Sequence, residues 1–488
     1  MSRMTESKPI IPDKKPKAAA LWLGIVFVVA FLERLLVIIL YRPVTYSDTP
    51  SYRRLAESVL HGFANYDGTR TPGYPIFLAL AGSDQRVWLF QLLLGFVTTF
   101  LIFYIGWKLT DKLWFGGLIA LAHTLNLGQL FFESNLLTES LTTFLLALTM
   151  AGVFVWFLSP KVRSLWMAFL LGLVSSVTLL VRPLFIYLPF FLLVFLWFEP
   201  RLSKNLGKLE IEGVVGPEKI PIHHGHLPLR FGIAFLIPVA LLLGGWITFI
   251  HDQFGDWSLT TMTGYHLVQH TGNFFEYVPD EYAALRDTYI KYRDAHIAQF
   301  GTQTNAIWDA IPEMSKVSGY SFYSLSRVLT RISIQLILNH PFLFIKSAIS
   351  GWWMFWRTSV YWSADALRLP WLANGVTWAI LIQRAMLFII NLTFILTSFL
   401  FTLIEFFSAV RHKPSQLLFH FTNPALYAFT WILLGNIWIA SILQTLLDHG
   451  DNPRFLVPLQ SLVVLWVAVF ILQMVIHIQA RSTSSSQP

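Results

Sequence analysis

The chain has 488 residues, of which 55% are hydrophobic and only 13% are charged, and its formal net charge is +8. Its apolar residues fall in long blocks instead of the short alternating patterns of a water-soluble core, so the composition excludes a soluble globular protein and indicates an integral membrane protein. The chain has no cysteine, which excludes disulfides and thiolate chemistry.

The apolar blocks are predicted to cross the membrane as about ten helices, because roughly 20 apolar residues span the hydrocarbon layer and a helix satisfies its own backbone hydrogen bonds there. The stretch 341–362 contains Lys346 and Arg357, so we interpret it as a helix at the membrane interface. The predicted fold is therefore all-α and polytopic. The predicted spans lie near residues 19–40, 87–106, 113–131, 136–158, 165–181, 184–198, 231–250, 380–407, 418–446 and 455–476.

These spans divide the chain into regions, with juxtamembrane helices expected in the first outer loop and a mostly helical extracytoplasmic segment after the first block of spans. The predicted regions are a cytoplasmic tail (1–18), an N-terminal transmembrane core (19–250) with its first outer loop (41–80), an extracytoplasmic and interfacial helical segment (251–379), C-terminal transmembrane helices (380–476) and a disordered tail (477–488).

The loops on one side of the predicted spans carry an excess of Lys and Arg, as in WKLTDK, SPKVR and AVRHK. By the positive-inside rule that side is cytoplasmic, and the net positive charge then reflects topology and does not indicate nucleic-acid binding. The same count puts the unusual polar segments together on the outer face. A single outward-facing site is therefore predicted.

The first outer loop contains a predicted amphipathic helix with a carboxylate at its start. In YSDTPSYRRLAESVLHGF, apolar side chains from Tyr52 to Phe63 recur at helical spacing, and Thr49-Pro50 supplies a start signal. Asp48 stands directly before this helix. Its carboxylate either caps the helix, a role worth about 1 kcal/mol, or lies at the mouth of the space that the spans enclose.

The chain then returns to the membrane through Arg70-Thr-Pro-Gly-Tyr-Pro, which includes Tyr74. Pro72 and Pro75 stiffen this return, and Gly73 permits close approach of the backbone to a neighbour. Arg70 is expected in the headgroup region. There its guanidinium either binds a phosphate through two hydrogen bonds or extends to water.

Three later segments add charged residues to the same predicted face. Glu133 and Glu139 flank a helix start in FFESNLLTES, where carboxylates also favour the helix dipole. Arg182 lies between two apolar blocks in LLVRPLF, where an arginine either anchors the interface or has a partner. In DHGDNPRFLVPLQ, Arg454 follows the helix start at Asn452-Pro453, a place where a cation opposes the helix dipole unless an anion lies nearby.

The order of these motifs resembles the GT-C membrane glycosyltransferases, particularly the bacterial RgtA-like enzymes. Protein O-mannosyltransferases and the lipid A aminoarabinose transferase would be more distant relatives. The resemblance runs from about Tyr46 to Leu459, although residues 200–340 match only in length and in NHPFLFIKSAI near Pro341. The motifs that carry it are YSDxxxY, RTPGYP, ExxLLTE, LVRP and NPRFxxPL.

The resemblance implies an inverting transfer of a sugar from a polyprenyl-phosphate donor to a glycan, lipid or protein acceptor. It implies that Asp48 is the catalytic base, that arginines hold the lipid phosphate, and that the site faces the periplasm or exterior of a bacterial cytoplasmic (inner) membrane. No cofactor is required, and a second acid of some family members is replaced here by Arg70, which weakens the case for a divalent metal. The candidate substrate-binding residues are Arg54, Arg70, Tyr74, Glu133, Glu139, Arg182, Asp451 and Arg454.

The segment 251–379 is expected to contain a charged, solvated helix and an amphipathic helix that ends before Pro341. It is either a lid that binds the acceptor or a structural cap over short spans. A transporter or flippase of lipid-linked saccharides is the alternative function. It would be expected to carry charges in the middle of its spans, whereas Glu33, Arg34, Arg384 and Glu405 are predicted within a few turns of helix ends.

Overall fold

The computed structural model describes residues 14–159, 162–197, 229–410, 424–450 and 452–484. The predicted all-α fold is confirmed: the described residues form helices and contain no strand, and Val44 and Asn135 make an isolated parallel bridge. The helices of the first part of the chain are α1 (Lys14–Leu40), α2 (Thr49–Leu60), α3 (Gly73–Ala81), α4 (Asp84–Thr110), α5 (Leu113–Thr124), α6 (Leu127–Ser134), α7 (Glu139–Leu158), α8 (Leu165–Val181) and α9 (Pro183–Trp197).

The second part continues the same helical architecture, and a short 3-10 turn, Val457–Leu459, joins its last two helices. The longer helices here are α10 (Leu229–Phe254), α11 (Thr263–Thr271), α12 (Ala283–Phe300), α13 (Ala306–Ser318), α14 (Phe322–Asn339), α15 (Pro341–Phe355), α16 (Ala373–Val410), α17 (Pro424–Leu447), α18 (Asn452–Phe455) and α19 (Gln460–Ser484).

Seven segments of the described chain are helical, long and apolar enough to cross a membrane, which supports an integral membrane protein. Two bent pairs, α5 with α6 at 53° and α14 with α15 at 106°, raise this number to nine if each pair is one span. The helices α8 and α9, which we predicted as separate spans, are apolar but shorter. The predicted count of ten therefore stays a prediction. The seven segments are α1, α4, α7, α10, α16, α17 and Pro453–Gln479.

Two predicted boundaries differ from the structure. The expected interfacial helix over 341–362 ends at Phe355, and it starts at a sharp bend because Pro341 has no N–H to continue α14. The expected disordered tail over 477–488 is wrong for residues 477–484, which are the last turns of α19. The sequence HIQAR consists mostly of residues that a helix tolerates well, so the span extends beyond its apolar part.

The largest apolar cluster joins α7, α8, α10, α17 and α19, and close helix contacts depend on small residues. Gly172 of α8 faces the Phe235 carbonyl of α10 so closely that a Cβ would lie 2.1 Å from that oxygen. Small residues allow helices to approach in the same way in many membrane proteins. A second apolar cluster lies within α11–α14, and it includes Tyr265, Tyr289 and Leu329. The segment 251–379 therefore has a packed core of its own.

Candidate active site

The loop that carries Asp48 is fixed to the turn between α6 and α7. The backbone N–H of Val44 donates to the Ser134 carbonyl at 2.9 Å, and the Leu136 N–H donates back to the Val44 carbonyl at 3.0 Å. The hydroxyl of Thr49 donates to the Leu136 carbonyl at 3.1 Å. These bonds hold the start of α2, and with it Asp48, beside the start of α7.

The Asp48 carboxylate bridges two arginines from distant parts of the chain. Its Oδ1 accepts a hydrogen bond from Arg70 Nη2 at 2.7 Å, and its Oδ2 accepts one from Arg454 Nη1 at 2.8 Å. Arg454 is 406 residues away in sequence. Although Asp48 stands at the N-cap position of α2, its side chain makes no capping hydrogen bond, so the capping interpretation is wrong.

Electrostatics keep this carboxylate ionised. Burial by itself would raise the pKa of Asp48, but the guanidinium groups of Arg70 and Arg454 outweigh burial and lower that pKa below its ordinary value. In the absence of substrate, Asp48 is therefore an anion held by two cations. A carboxylate in this state accepts a proton poorly.

Arg454 also joins Asp48 to a second carboxylate. Its Nε donates to Glu139 Oε1, and Arg182 Nη1 lies 3.3 Å from the same oxygen. Glu139 is fully buried at the first position of α7, and Arg182 follows the last residue of α8 with its guanidinium 4.3 Å above the Phe455 ring. We call the five side chains Asp48, Arg70, Glu139, Arg182 and Arg454 the arginine–carboxylate cluster.

This cluster holds three guanidinium groups and two carboxylates, an excess of one positive charge among the five side chains. Arg70 Nε and Arg182 Nη1 are buried and make no hydrogen bond within the described part of the chain. Buried polar atoms in proteins usually have a partner. The excess charge and the free Arg70 Nε donor suit the binding of an additional anion, and within the described residues Arg182 Nη1 is held only by its ion pair with Glu139.

Aromatic rings form one wall of the cluster. The Arg70 guanidinium lies 5.4 Å from the centre of the Tyr52 ring, and Tyr52 packs edge-on against Tyr74 at 5.0 Å. Tyr74 is fully buried, and its hydroxyl donates to Gln91 Oε1 at 2.9 Å. Tyr74 therefore lies one layer behind the cluster and supports Tyr52, a position that our assignment of it as a substrate-binding residue did not anticipate.

The return loop lies against α8 because of one glycine. A Cβ on Gly73 would lie 2.6 Å from the backbone carbon of Leu180. Such a distance is incompatible with any side chain, so the close approach expected at this position is confirmed. The contact brings Arg70 and Arg182 to the same region from opposite sides.

Two other predicted binding residues lie outside the cluster. Arg54 is on the outer side of α2, where its exposed guanidinium pairs with Asp67 at 2.8 Å. Glu133 is fully buried and pairs with Arg34 at 2.7 Å. Because α2 turns only one face toward the protein and Glu133 already has a partner on α1, neither is placed to contact a ligand of the cluster. Asp451 lies outside the described residues.

The Arg34–Glu133 pair fixes α1 to its neighbours. Arg34 Nε donates to the Leu92 carbonyl at 3.1 Å, and Nη1 donates to the Thr124 hydroxyl at 2.8 Å. Gly95 of α4 leaves the room for Glu133, since a Cβ there would lie 2.0 Å from the carboxylate. Glu133 directly precedes the turn that holds the Asp48 loop, so the Arg34–Glu133 pair helps to position that loop.

Replacing Glu133 by glutamine is expected to lower the free energy of unfolding by roughly 3 kcal/mol, because it removes the ion-pair partner of the buried Arg34. Chemical unfolding of the purified protein in detergent would measure this loss. Glu57→Gln, which changes an exposed residue of α2, is the control and should have little effect. A stability of Glu133→Gln equal to that of the control would show that the pair does not hold the loop.

Tyr361 and Arg34 were not among the predicted site residues, and Tyr52 was predicted only as a motif residue on the apolar face of α2. Tyr361 follows α15 in a non-helical stretch, and its ring lies 5.9 Å from the Arg454 guanidinium and 5.2 Å from the Tyr46 ring. No spacing rule predicts this contact. Among the described residues, no three His, Asp or Glu side chains come together as a set that could hold a metal ion.

Comparisons with known proteins return no relative: no family model, no curated protein and no solved structure matches the chain. The function is therefore argued from the site itself.

Proposed function

We propose that the protein is an inverting glycosyltransferase that moves a sugar from a polyprenyl-phosphate donor to a glycan, lipid or protein acceptor. The reaction would take place on the outer face of a bacterial cytoplasmic membrane. The observation that carries this proposal is the arginine–carboxylate cluster, in which Asp48 lies among guanidinium groups that exceed the carboxylates in charge.

The arginines would bind the donor phosphate. A guanidinium offers two parallel N–H donors to a phosphate, and a preorganised positive charge in a partly dry site stabilises the charge that develops as the phosphate leaves. A lipid phosphate is already a stable anion when it leaves the sugar. The reaction therefore needs no carboxylic acid to protonate the leaving group, unlike glycoside hydrolysis, which requires two carboxyl groups in different roles.

Asp48 would take the proton from the acceptor hydroxyl. The acceptor oxygen forms a bond to the anomeric carbon as the bond from that carbon to the phosphate oxygen breaks, and the electron pair leaves with the phosphate. The acceptor proton goes to the Asp48 carboxylate. Attack from the side opposite the phosphate inverts the anomeric centre.

The two arginines that bind Asp48 imply that the donor binds before the acceptor proton is removed. While Arg70 and Arg454 bind the carboxylate, its pKa is lowered and it is a weak base. A donor phosphate would compete for the same guanidinium groups, weaken their hold on Asp48 and raise its basicity. Donor binding would thus prepare the base, which would limit proton abstraction to the loaded enzyme.

The position of the cluster favours an enzyme over a transporter. Asp48 directly precedes α2, Glu139 is the first residue of α7, Arg182 follows α8 and Arg454 lies in the short helix α18. The charges therefore lie at helix ends, whereas transport sites are expected where spanning helices are interrupted near the membrane centre.

The proposal is tested by transfer with the purified full-length protein in lipid nanodiscs. Polyprenyl-phosphate sugars with a radiolabelled sugar would be incubated with the protein and a bacterial envelope extract, and the labelled product would be separated from the lipid donor. The anomeric configuration of the product would be read by NMR. Label that stays on the lipid with every donor, or a product that retains the donor configuration, would contradict the proposal.

The Asp48 ion pairs are expected to make stability depend on pH. The pKa of Asp48 is lower in the folded state than its ordinary value, so the stabilisation is complete above about pH 4 and is lost as the pH falls through the folded-state pKa. Thermal unfolding of wild type and Asp48→Asn should therefore differ most near neutral pH, and the difference should shrink as the pH falls below about 4. A constant difference over that range would show that the ion pairs do not stabilise the fold.

A further inference from the structure

An open cleft with a volume of about 640 Å³ lies beside the arginine–carboxylate cluster. Its volume is in the range of ~300–1,000 Å³ that is common for small-molecule sites. One side of the cleft comes from the end of α12 and the loop after it, which contribute Phe300 and Asn305. The other side comes from the residues around the end of α15, which contribute Arg357 and Tyr361.

The cleft and the cluster are neighbours. Pro453 lines the cleft and is followed in the chain by Arg454, which binds Asp48. Tyr361 lines the cleft, and its ring also lies 5.9 Å from the Arg454 guanidinium. A ligand in the cleft would therefore lie near Arg454, which binds the proposed base.

The lining of the cleft is cationic. It includes the exposed guanidinium of Arg357, and none of its residues in the described part of the chain is Asp or Glu. Arg357 makes no ion pair with any described residue, and among the unpaired arginines it is the one that lines this cleft. A guanidinium that lines a concave site without a counter-charge favours an anionic ligand.

The lining also suits a sugar. The His296 ring lies 4.5 Å from the Phe300 ring, and Tyr361 adds a third aromatic group. Side chains with hydroxyl and amide groups, including Asn305, also line the cleft. Apolar and aromatic walls with a few polar groups are the usual composition of a small-molecule site.

We propose that this cleft binds the acidic group of a substrate, with Arg357 as the cation that recognises it. This inference rests on the proposed function and deepens it, because it adds a further anion-binding group, Arg357, in a cleft outside the arginine–carboxylate cluster. The acidic group is either the phosphate of the lipid donor or the carboxylate of an acidic sugar in the acceptor. Both are oxygen anions that a guanidinium binds through two hydrogen bonds.

The experiment measures binding to the purified full-length protein in nanodiscs, with no transfer required. The probes are decaprenyl phosphate, a trisaccharide of galacturonic acid, and the methyl ester of that trisaccharide, which has the same shape without the charge. Arg357→Gln should weaken the binding of one charged probe by about tenfold, and Arg357→Lys should restore part of it. Arg331→Gln, which changes an exposed arginine of α14 outside the cleft, should bind like wild type.

The pattern of loss identifies the source of the anion. If Arg357→Gln weakens the binding of decaprenyl phosphate, the cleft is assigned to the donor. If it weakens the binding of the trisaccharide but not of its ester, the cleft is assigned to an acidic acceptor. The inference is overturned if Arg357→Gln binds both charged probes like wild type, or if wild type binds neither charged probe. It is also overturned if Arg357→Gln weakens the binding of the uncharged ester as much as that of the charged trisaccharide. Because binding is measured without catalysis, a protein that binds a probe through Arg357 but transfers no sugar would contradict the proposed function and leave this inference standing.

Discussion

Replacing Asp48 by asparagine is expected to reduce the rate of sugar transfer by about 10²- to 10⁴-fold, the contribution of a well-placed general base. Asparagine has the shape of aspartate but cannot accept the acceptor proton at a carboxylate. The same substitution removes the anion that competes with phosphate for Arg70 and Arg454. We therefore expect kcat to fall while the donor binds more tightly.

This pair of opposite effects separates a base from a structural residue. Damage to the fold would weaken donor binding and lower kcat together, whereas removal of a base that blocks the phosphate site lowers kcat and strengthens donor binding. Single-turnover transfer and equilibrium binding of a polyprenyl phosphate would measure the two quantities.

Asp67→Asn is the matched control for this experiment. Asp67 lies in the same segment between α1 and α3 and also pairs with an arginine, Arg54, but it is outside the arginine–carboxylate cluster. We expect the Asp67→Asn variant to transfer sugar at nearly the wild-type rate. Transfer by Asp48→Asn at the rate of this control would show that Asp48 is not the base.

The parts of the fold that local physics determines were predictable from the sequence. The length of an apolar run sets whether a helix can cross a membrane, and helical periodicity placed α2 correctly with Tyr52, Leu55 and Ala56 on its buried face. The same length criterion was less informative for α8 and α9. Two apolar runs interrupted by Arg182-Pro183 have the composition of spans, but the helices have at most 17 residues, the lower end of the length that crosses a membrane.

The candidate site was predictable only in part. Motif order and a shared predicted face selected Asp48, Arg70 and Arg454, and the structure brings these residues into direct contact. Their catalytic roles stay predictions. The pairing of Glu133 with Arg34 was not predictable, because it depends on the packing of α1 against α4 and α6, where Gly95 leaves room for the carboxylate.

Tyr74 illustrates a similar limit. A tyrosine in a Pro-Gly-rich return loop can face either a ligand or the core, and its sequence neighbours are the same in both cases. The structure turns Tyr74 toward Gln91, whose amide donates to the carbonyls of Glu133 and Asn135. Burial and the available partners decided the direction, and neither is visible in a single sequence.

Replacing Arg454 by glutamine is expected to have the second large effect, because Arg454 is the side chain that links Asp48 to Glu139. The substitution removes one of the proposed phosphate ligands and leaves Glu139 buried with Arg182 3.3 Å away as its remaining cationic partner. We expect donor binding and transfer each to fall by at least tenfold, and the free energy of unfolding to fall by about 3 kcal/mol. Donor binding, transfer and chemical unfolding measure the three changes.

A second substitution separates the contribution of Arg454 to the stability of the protein from its contribution to donor binding. Glu139→Gln removes the buried charge that Arg454→Gln would leave with a single partner, but it also takes the ion-pair partner from the buried Arg182. The double variant should therefore recover only part of the lost stability. It should not recover donor binding, because the phosphate ligand is still missing. Arg53→Gln, which breaks an exposed pair with Asp84, is the control and should change neither quantity appreciably. If the double variant regained both stability and transfer, Arg454 would act only as the counter-charge of Glu139, and the phosphate would have to be held by other groups.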